Sequence, residues 1–274
     1  MSATADLPYD EAMIDGLRVR TFGDEGARPI LFSSGLGGSG TYWQPQLAAF
    51  ARDHRVVTYD HRGTGKSDRS GLALDYGVAH LAADMALIIE GLGLEQPHVV
   101  GHAAGAAAGL ELARTRPDLL RTLTVINGWV RPGRHFRRCM EIRRDIYRSG
   151  GAWAYLRAQP LFLYPPRWIE DHLDHLDAET ETHAETFQAE STLFARMQAL
   201  ELSDFSADVA RIRTPTLVVA VDDDALVPVT AGIDLANRLP QAKLLRLPWG
   251  GHAVNVTDVE TFNTALRSFL IQHS

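Results

Sequence analysis

Cysteine is almost absent from this chain: Cys139 is the only one in 274 residues. No intramolecular disulfide can form, and an oxidising compartment is not indicated. Long apolar runs are missing as well. No stretch approaches the ~18 consecutive apolar residues of a membrane span, and Met1 to Asp10 is polar and acidic, without the apolar centre of a signal peptide. The expectation is a soluble, cytoplasmic protein that does not engage membranes. Basic excess is lacking too: 27 Lys and Arg stand against 34 Asp and Glu, a formal net charge of -7. General nucleic-acid binding needs a basic surface to displace counterions, so that class of function is excluded. Metal-ligand spacing is likewise missing, because His172, His175 and His183 lie in an acidic helical stretch without paired ligands and read as exposed histidines. Neither a metal nor a cofactor is expected. There is no internal repeat, low-complexity tract or linker.

What is present is enough apolar material, 45% of the residues, to bury one sizeable core without metals or crosslinks. After a hairpin expected around Asp15-Gly16, short β-branched runs alternate with helical stretches from Ile30 onward. That alternation predicts an α/β protein with a mostly parallel sheet and helices on both faces. The rhythm breaks after the strand Leu123 to Ile126 and resumes at Thr216. The mostly helical interval predicts a cap inserted after the sixth strand, dividing the chain into a core of residues 1–127 and 209–274 and a cap of residues 128–208.

One further absence concerns chemistry. Gly101-His102-Ala103-Ala104-Gly105 has the form of a nucleophile elbow, G-x-S-x-G, with alanine in the place of serine. Its context is that of an elbow: Pro97-His98-Val99-Val100 is a short strand, and Ala104 to Thr115 is an alanine-rich helix closed by Pro117. An ordinary glycine-rich strand-to-helix connection is the plain alternative. Downstream, the strand Thr216 to Val221 runs into Asp222-Asp223-Asp224, and Asp224 stands four residues before Pro228 in a D-x-x-V-P arrangement. Asp224 is the candidate acid, while Asp222 and Asp223 read equally well as solvated loop charges. His252 follows the strand Lys243 to Leu247 in Trp249-Gly250-Gly251-His252-Ala253, ahead of a last helix from Asp258 to Ile271. The chain order elbow, acid, histidine is that of α/β-hydrolases and differs from the other triad folds. Ala103, Asp224 and His252 are thus the candidate catalytic positions, the first of them vacant.

Upstream, Ile30 to Ser33 is a strand that enters Ser34-Gly35-Leu36-Gly37-Gly38-Ser39-Gly40. By analogy with the His-Gly-x loops of the fold, the N–H groups of Leu36 and Ala104 would form an oxyanion hole, with Ser34 where histidine is usual. Asp60 to Asp68 is close to the D-x-R-G-x-G-x-S loop of the superfamily and reads as scaffold. It lacks the pattern of a phosphate cradle. In the cap, Trp129, Trp153, Phe162, Tyr164 and Trp168 could roof a pocket or simply pack helices. Trp129, Phe162 and Tyr164 are the candidate substrate contacts. The arginines from Arg131 to Arg148 read as a solvated amphipathic helix with i, i+4 pairs to Glu141 and Asp145.

Four strings carry a more specific resemblance: Gly35 to Gly40, Asn127-Gly128-Trp129, Ala158 to Pro165, and Gly250-Gly251-His252-Ala253 with Asn255-Val256-Thr257-Asp258. From about Ile30 to the C-terminus the chain resembles the RutD family of bacterial pyrimidine utilisation, whose members can also carry alanine at the position of Ala103. The resemblance implies an amidohydrolase acting late in uracil degradation, on carbamate or aminoacrylate, with a homodimer as the assembly to test. Both substrates are small and labile in water. An imidazole backed by Asp224 would then activate water directly. Three other readings stay open: a serine esterase or lactonase in which Ala103 replaces serine, a cofactor-free oxygenase, and a binding module that has lost chemistry.

Overall fold

The computed structural model describes residues 7–274. The signal-peptide reading of Met1 to Asp10 therefore falls largely outside the described residues. β1 (Tyr9–Ile14) and β2 (Leu17–Phe22) form the expected hairpin, pairing Ile14 with Leu17. Asp15 and Gly16 both take positive φ, 46° and 79°, as a two-residue turn of this hand requires. There follow β3 (Pro29–Ser33), α1 (Gln44–Phe50), β4 (Arg55–Tyr59), α2 (Val78–Gly91), β5 (His98–His102), α3 (Ala104–Thr115) and β6 (Thr122–Ile126). The helical interval contains α4 (Arg134–Ala158), α5 (Pro160–Leu163), α6 (Pro166–His183) and α7 (Glu190–Leu202). The chain then returns through β7 (Thr216–Val221), α8 (Val229–Arg238), β8 (Ala242–Leu247), α9 (Val254–Thr257) and α10 (Val259–Ile271).

The strands make one eight-stranded sheet in the order β1-β2-β4-β3-β5-β6-β7-β8, antiparallel at β1-β2 and β2-β4 and parallel elsewhere. This is the α/β-hydrolase architecture. β5, β6 and β7 are buried along their whole lengths, which is why they are written as continuous apolar and β-branched runs rather than alternating ones. One face packs Trp43, Leu47 and Phe50 against Phe262, Leu266 and Phe269. On the other, residues of α2, α3 and α8 join Leu193, Met197 and Leu200 of α7 in a single apolar cluster. The helical insertion thus shares the core rather than resting on it. The carboxyl ends of β3, β5, β7 and β8 open into the loops that carry Leu36, Ala103, Asp224 and His252, the end at which parallel α/β sheets form ligand crevices.

The basic stretch is solvated as expected at Arg131, Arg134, Arg137, Arg138 and Arg148, and departs from that expectation at Arg143 and Arg144. Arg143 is buried, its guanidinium donating to the Tyr155 hydroxyl and lying 5.0 Å and 5.4 Å from the centres of the Tyr155 and Phe162 rings. Arg144 pairs with Glu201 of α7. The two pairs within α4, Arg138 with Glu141 and Arg148 with Asp145, run at i, i+3. Aromatic faces attract a desolvated guanidinium, so Arg143 belongs to the packing of the insertion and not to its solvated side. α4 is also interrupted at Gly151, where φ is 66°.

Candidate active site

The elbow is held in an unusual backbone conformation. Ala103 has φ 47° and ψ -96°, outside the regions that a residue with a Cβ ordinarily occupies. Such strain persists only where its surroundings over-determine it. Here the Ala103 N–H donates to the Ile126 carbonyl at 3.0 Å, and the Gly105 N–H donates to the Ser34 carbonyl at 3.0 Å. The two glycines are required by close approach: a Cβ on Gly101 would overlap the backbone of Gly105 and Ala106, and one on Gly105 would overlap the backbone of Ser33. Helix α3 therefore starts against β3 and β5, and it carries the side chain of residue 103 above the sheet. That side chain is a methyl group.

Asp224 and His252 come together as the sequence order predicts. His252 Nδ1 lies 2.8 Å from Asp224 Oδ2, and the side chains are only 2% and 0% exposed. Asp224 Oδ1 accepts from the N–H groups of Leu226 at 2.7 Å and Val227 at 2.9 Å. With the carboxylate held by three donors, the His252 proton belongs on Nδ1. Nε2 is left bare, and it has no partner among the described residues.

The backbone around His252 is fixed from three sides, by residues to which motif reading assigned no such role. The carbonyl of His252 accepts from Asn127 Nδ2 at 2.7 Å and lies 2.8 Å from His102 Nε2. The Gly251 N–H donates to Asp223 Oδ1 at 2.8 Å, and the Ala253 N–H donates to the Leu163 carbonyl of the insertion at 3.0 Å. Burial, with the neighbouring His252 adding to it, holds His102 well below the usual imidazole range. His102 is therefore neutral, so the ring donates through Nε2–H and keeps Nδ1 bare. It stacks on Tyr42 with centroids 5.0 Å apart, and the Tyr42 hydroxyl donates to Asn255 Oδ1 at 2.8 Å. Asp222 takes no part in this and instead pairs with Arg246 on the surface.

The expected oxyanion donors are free: neither the Leu36 nor the Ala104 N–H is bonded to a described residue. The direction of the first follows from peptide geometry. The Gly35 carbonyl accepts from the Gly38 N–H at 3.0 Å, and in a planar trans peptide the Leu36 N–H must point the opposite way. The Leu36 carbonyl is held in turn by Gln188 Nε2 at 3.1 Å and Arg196 Nη1 at 3.4 Å. Ser34 is buried, with its hydroxyl unpartnered.

The three aromatic candidates separate. Trp129 is 2% exposed, its ring 4.6 Å from Phe136 and its indole N–H donating to Ser203 Oγ at 3.0 Å, which makes it part of the packed core. Phe162 is half-buried beneath Arg143. Tyr164 is half-buried against Trp168, and burial pushes its hydroxyl up to about 12. Of the three, only Tyr164 reaches a cavity of about 260 Å³, which runs between the Gly37–Ser39 and Thr64–Gly65 turns and the insertion's Gln159, Glu179 and Gln188. Ala103 and His252 do not line that cavity. Trp153 is exposed beside Arg157. His172 is half-buried, stacked at 3.9 Å on Trp168, rather than exposed as its acidic surroundings suggest. Among the described residues no cluster of His, Cys, Asp and Glu has the geometry to hold a metal ion.

Comparison with known proteins agrees with the architecture. Residues 28–150 match the family described as the alpha/beta hydrolase fold. The chain is 47% identical over 259 residues to a protein of Caulobacter vibrioides named as a carbamate hydrolase RutD, an activity that the name marks as provisional; the match covers 94% of this chain and 96% of that one. A Klebsiella pneumoniae protein of the same name is 42% identical over 245 residues, covering 89% and 92%. Among solved structures, the enol-lactonase from Burkholderia xenovorans superposes with a TM-score of 0.85 at 23% identity, covering 96% of this chain and all of that one. A hydrolase from Pseudomonas aeruginosa superposes at 0.83 with 26% identity, covering 97% and 99%. The chain belongs to the RutD family of α/β-hydrolases.

Proposed function

We propose that this member of the RutD family hydrolyses a small C–N compound of pyrimidine catabolism, carbamate first and aminoacrylate as the related candidate, with no covalent enzyme intermediate. The observation that carries the reading is the combination of a bonded Asp224–His252 pair, 2.8 Å apart, with an elbow that presents only a methyl group. A bare Nε2 can take a proton from water, and no side chain at position 103 can attack in its place. His252 is the general base, Asp224 holds its tautomer, and the N–H groups of Leu36 and Ala104 meet the developing oxyanion. Residues 128–208 act as a cap over the site, and Tyr164 and Phe162 remain its candidate substrate contacts. Trp129 enters this scheme only through packing.

Magnitudes favour a labile substrate. A hydrolase stripped of a triad member retains roughly 10³ to 10⁴-fold catalysis over water through its oxyanion hole and binding. Acceleration of that size is useful only where the uncatalysed reaction is already fast. Water addition to carbamate yields ammonia and bicarbonate, the hydrated form of carbon dioxide. The test is ammonia release from freshly prepared carbamate, corrected for spontaneous decay. His252→Ala is expected to fall to the spontaneous rate, and a variant that kept the full wild-type increment would remove His252 from the mechanism.

A second reading draws on the elbow itself. Its strained φ of 47° is what a serine nucleophile would need, so a serine at 103 would complete the triad of an esterase or lactonase. That reading is tested by Ala103→Ser, taken up below.

A further inference from the structure

Arg196, on α7 of the insertion, is completely buried and has no carboxylate partner within ion-pairing distance among the described residues. Burying a cation without a counter-charge is costly, and proteins tolerate it where the guanidinium's donors are used. Here the two Nη groups are used on backbone and amide oxygens, while the buried Nε has no partner among the described residues. Nη1 donates to Gln188 Oε1 at 2.7 Å and to the Leu36 carbonyl at 3.4 Å, while Nη2 donates to the Arg62 carbonyl. Gln188 Nε2 donates to the same Leu36 carbonyl at 3.1 Å. Gly38, at φ 74°, leaves the space that the guanidinium fills, since a Cβ there would press on Arg196 Nη1 and Thr64 Oγ1. One side chain of the insertion therefore ties together the loop after β3 and the loop after β4.

We propose that Arg196 is a positioning residue for the oxyanion hole: by holding the Leu36 carbonyl it fixes the turn whose free N–H meets the developing oxyanion. The inference rests on the reading of Leu36 as an oxyanion donor. The physical link is short. The Gly35–Leu36 peptide is oriented on one side by the Gly38 N–H, and the Leu36–Gly37 peptide on the other by Arg196 and Gln188. With both planes set, the Leu36 N–H has no rotational freedom left to lose when charge develops, which is the condition for preorganised stabilisation. Lysine cannot reproduce the arrangement, because a single ammonium cannot hold Leu36, Gln188 and Arg62 in the same planar fork.

The test uses the full chain, with leucine selectively labelled with nitrogen-15, and two readouts. In Arg196→Met the Leu36 amide resonance is expected to shift or broaden and its hydrogen exchange to quicken, while ammonia release from carbamate falls about 10 to 100-fold in kcat with KM changed less than about threefold. Millimolar guanidinium chloride restores part of kcat, and the same concentration of sodium chloride does not. Gln188→Met, which keeps the cation and removes one donor to Leu36, shows the same changes to a smaller degree, and it serves alone if Arg196→Met does not fold. An unchanged Leu36 amide in the folded variants overturns the proposal whatever the activity. So does a kcat loss that guanidinium fails to relieve. If the wild type releases ammonia no faster than His252→Ala, the reading of function fails, while the amide readout still decides the role of Arg196.

Discussion

At the scale of single residues, the proposed chemistry turns on Ala103, Asp224 and His252. Ala103→Ser places a hydroxyl where water would stand, and it is expected to lower ammonia release from carbamate about tenfold while leaving aryl-ester cleavage near background. A gain of a hundredfold or more in ester cleavage, with a burst of acyl-enzyme, would favour the esterase reading instead. Asp224→Asn removes the acceptor that keeps the His252 proton on Nδ1. The wrong tautomer is then free to form, and kcat for carbamate is expected to drop about 10²-fold or more with the fold intact. Equal rates for Asp224→Asn and wild type would show that the 2.8 Å contact is structural only.

At the scale of elements, the site is a set of loops pinned to strand ends, and its sensitivity follows from who pins what. Asp223→Ala removes the acceptor of the Gly251 N–H; the bond is part-buried and Asp223 is exposed, so the cost is that of an ordinary hydrogen bond, about 0.5–1.5 kcal/mol. Urea unfolding is expected to show that loss, together with about a tenfold fall in kcat as the histidine loop loosens; a loss in neither would mean that water replaces the carboxylate without consequence. Gly105→Ala is harsher, because the new methyl meets the backbone of Ser33 and backbone cannot swing aside. It should destabilise by at least about 3 kcal/mol or prevent folding. The elbow, the acid and the histidine were legible in the sequence because each is a local string at a strand end, and their chain order supplied the rest. The roles of Asp223, His102 and Asn127 were not, although each stands in a quoted string, because those roles lie in bonds to a loop between 28 and 150 positions away that no local string reveals. Arg143 and Arg196 misled or went unnoticed for the same reason. An arginine in a charged helix looks solvated until aromatic rings or carbonyls from other elements close over it.

At the scale of the whole molecule, β5 and the loop after β4 carry neutral histidines that make stability depend on pH. Burial is the main cause that pulls His98 from 6.5 to about 3, with the nearby His54 adding to it, and burial also holds His61 and His102 well below their usual range. Each binds its proton more readily in the unfolded chain than in the folded one. Stability from these groups is therefore complete above about pH 6.5 and is lost as pH falls below it, for His98 down to about pH 3. The slope is about 1.4 kcal/mol per pH unit for each histidine that titrates only on unfolding. His98→Gln is expected to flatten the dependence measured by urea unfolding between pH 6 and 4 by about one proton's worth, and an unchanged slope would mean that His98 titrates in the native state. The proposed reaction offers the sharpest test, because the two ways of breaking carbamate differ in their first carbon product. Water addition converts the carbamate anion and one water into ammonia and bicarbonate, whereas protonation of nitrogen followed by C–N cleavage converts the carbamate anion and one proton into ammonia and carbon dioxide. Rapid-mixing detection of that product, in water labelled with oxygen-18 and without carbonic anhydrase, should find bicarbonate carrying one new oxygen; carbon dioxide appearing first, free of the label, would contradict water activation by His252.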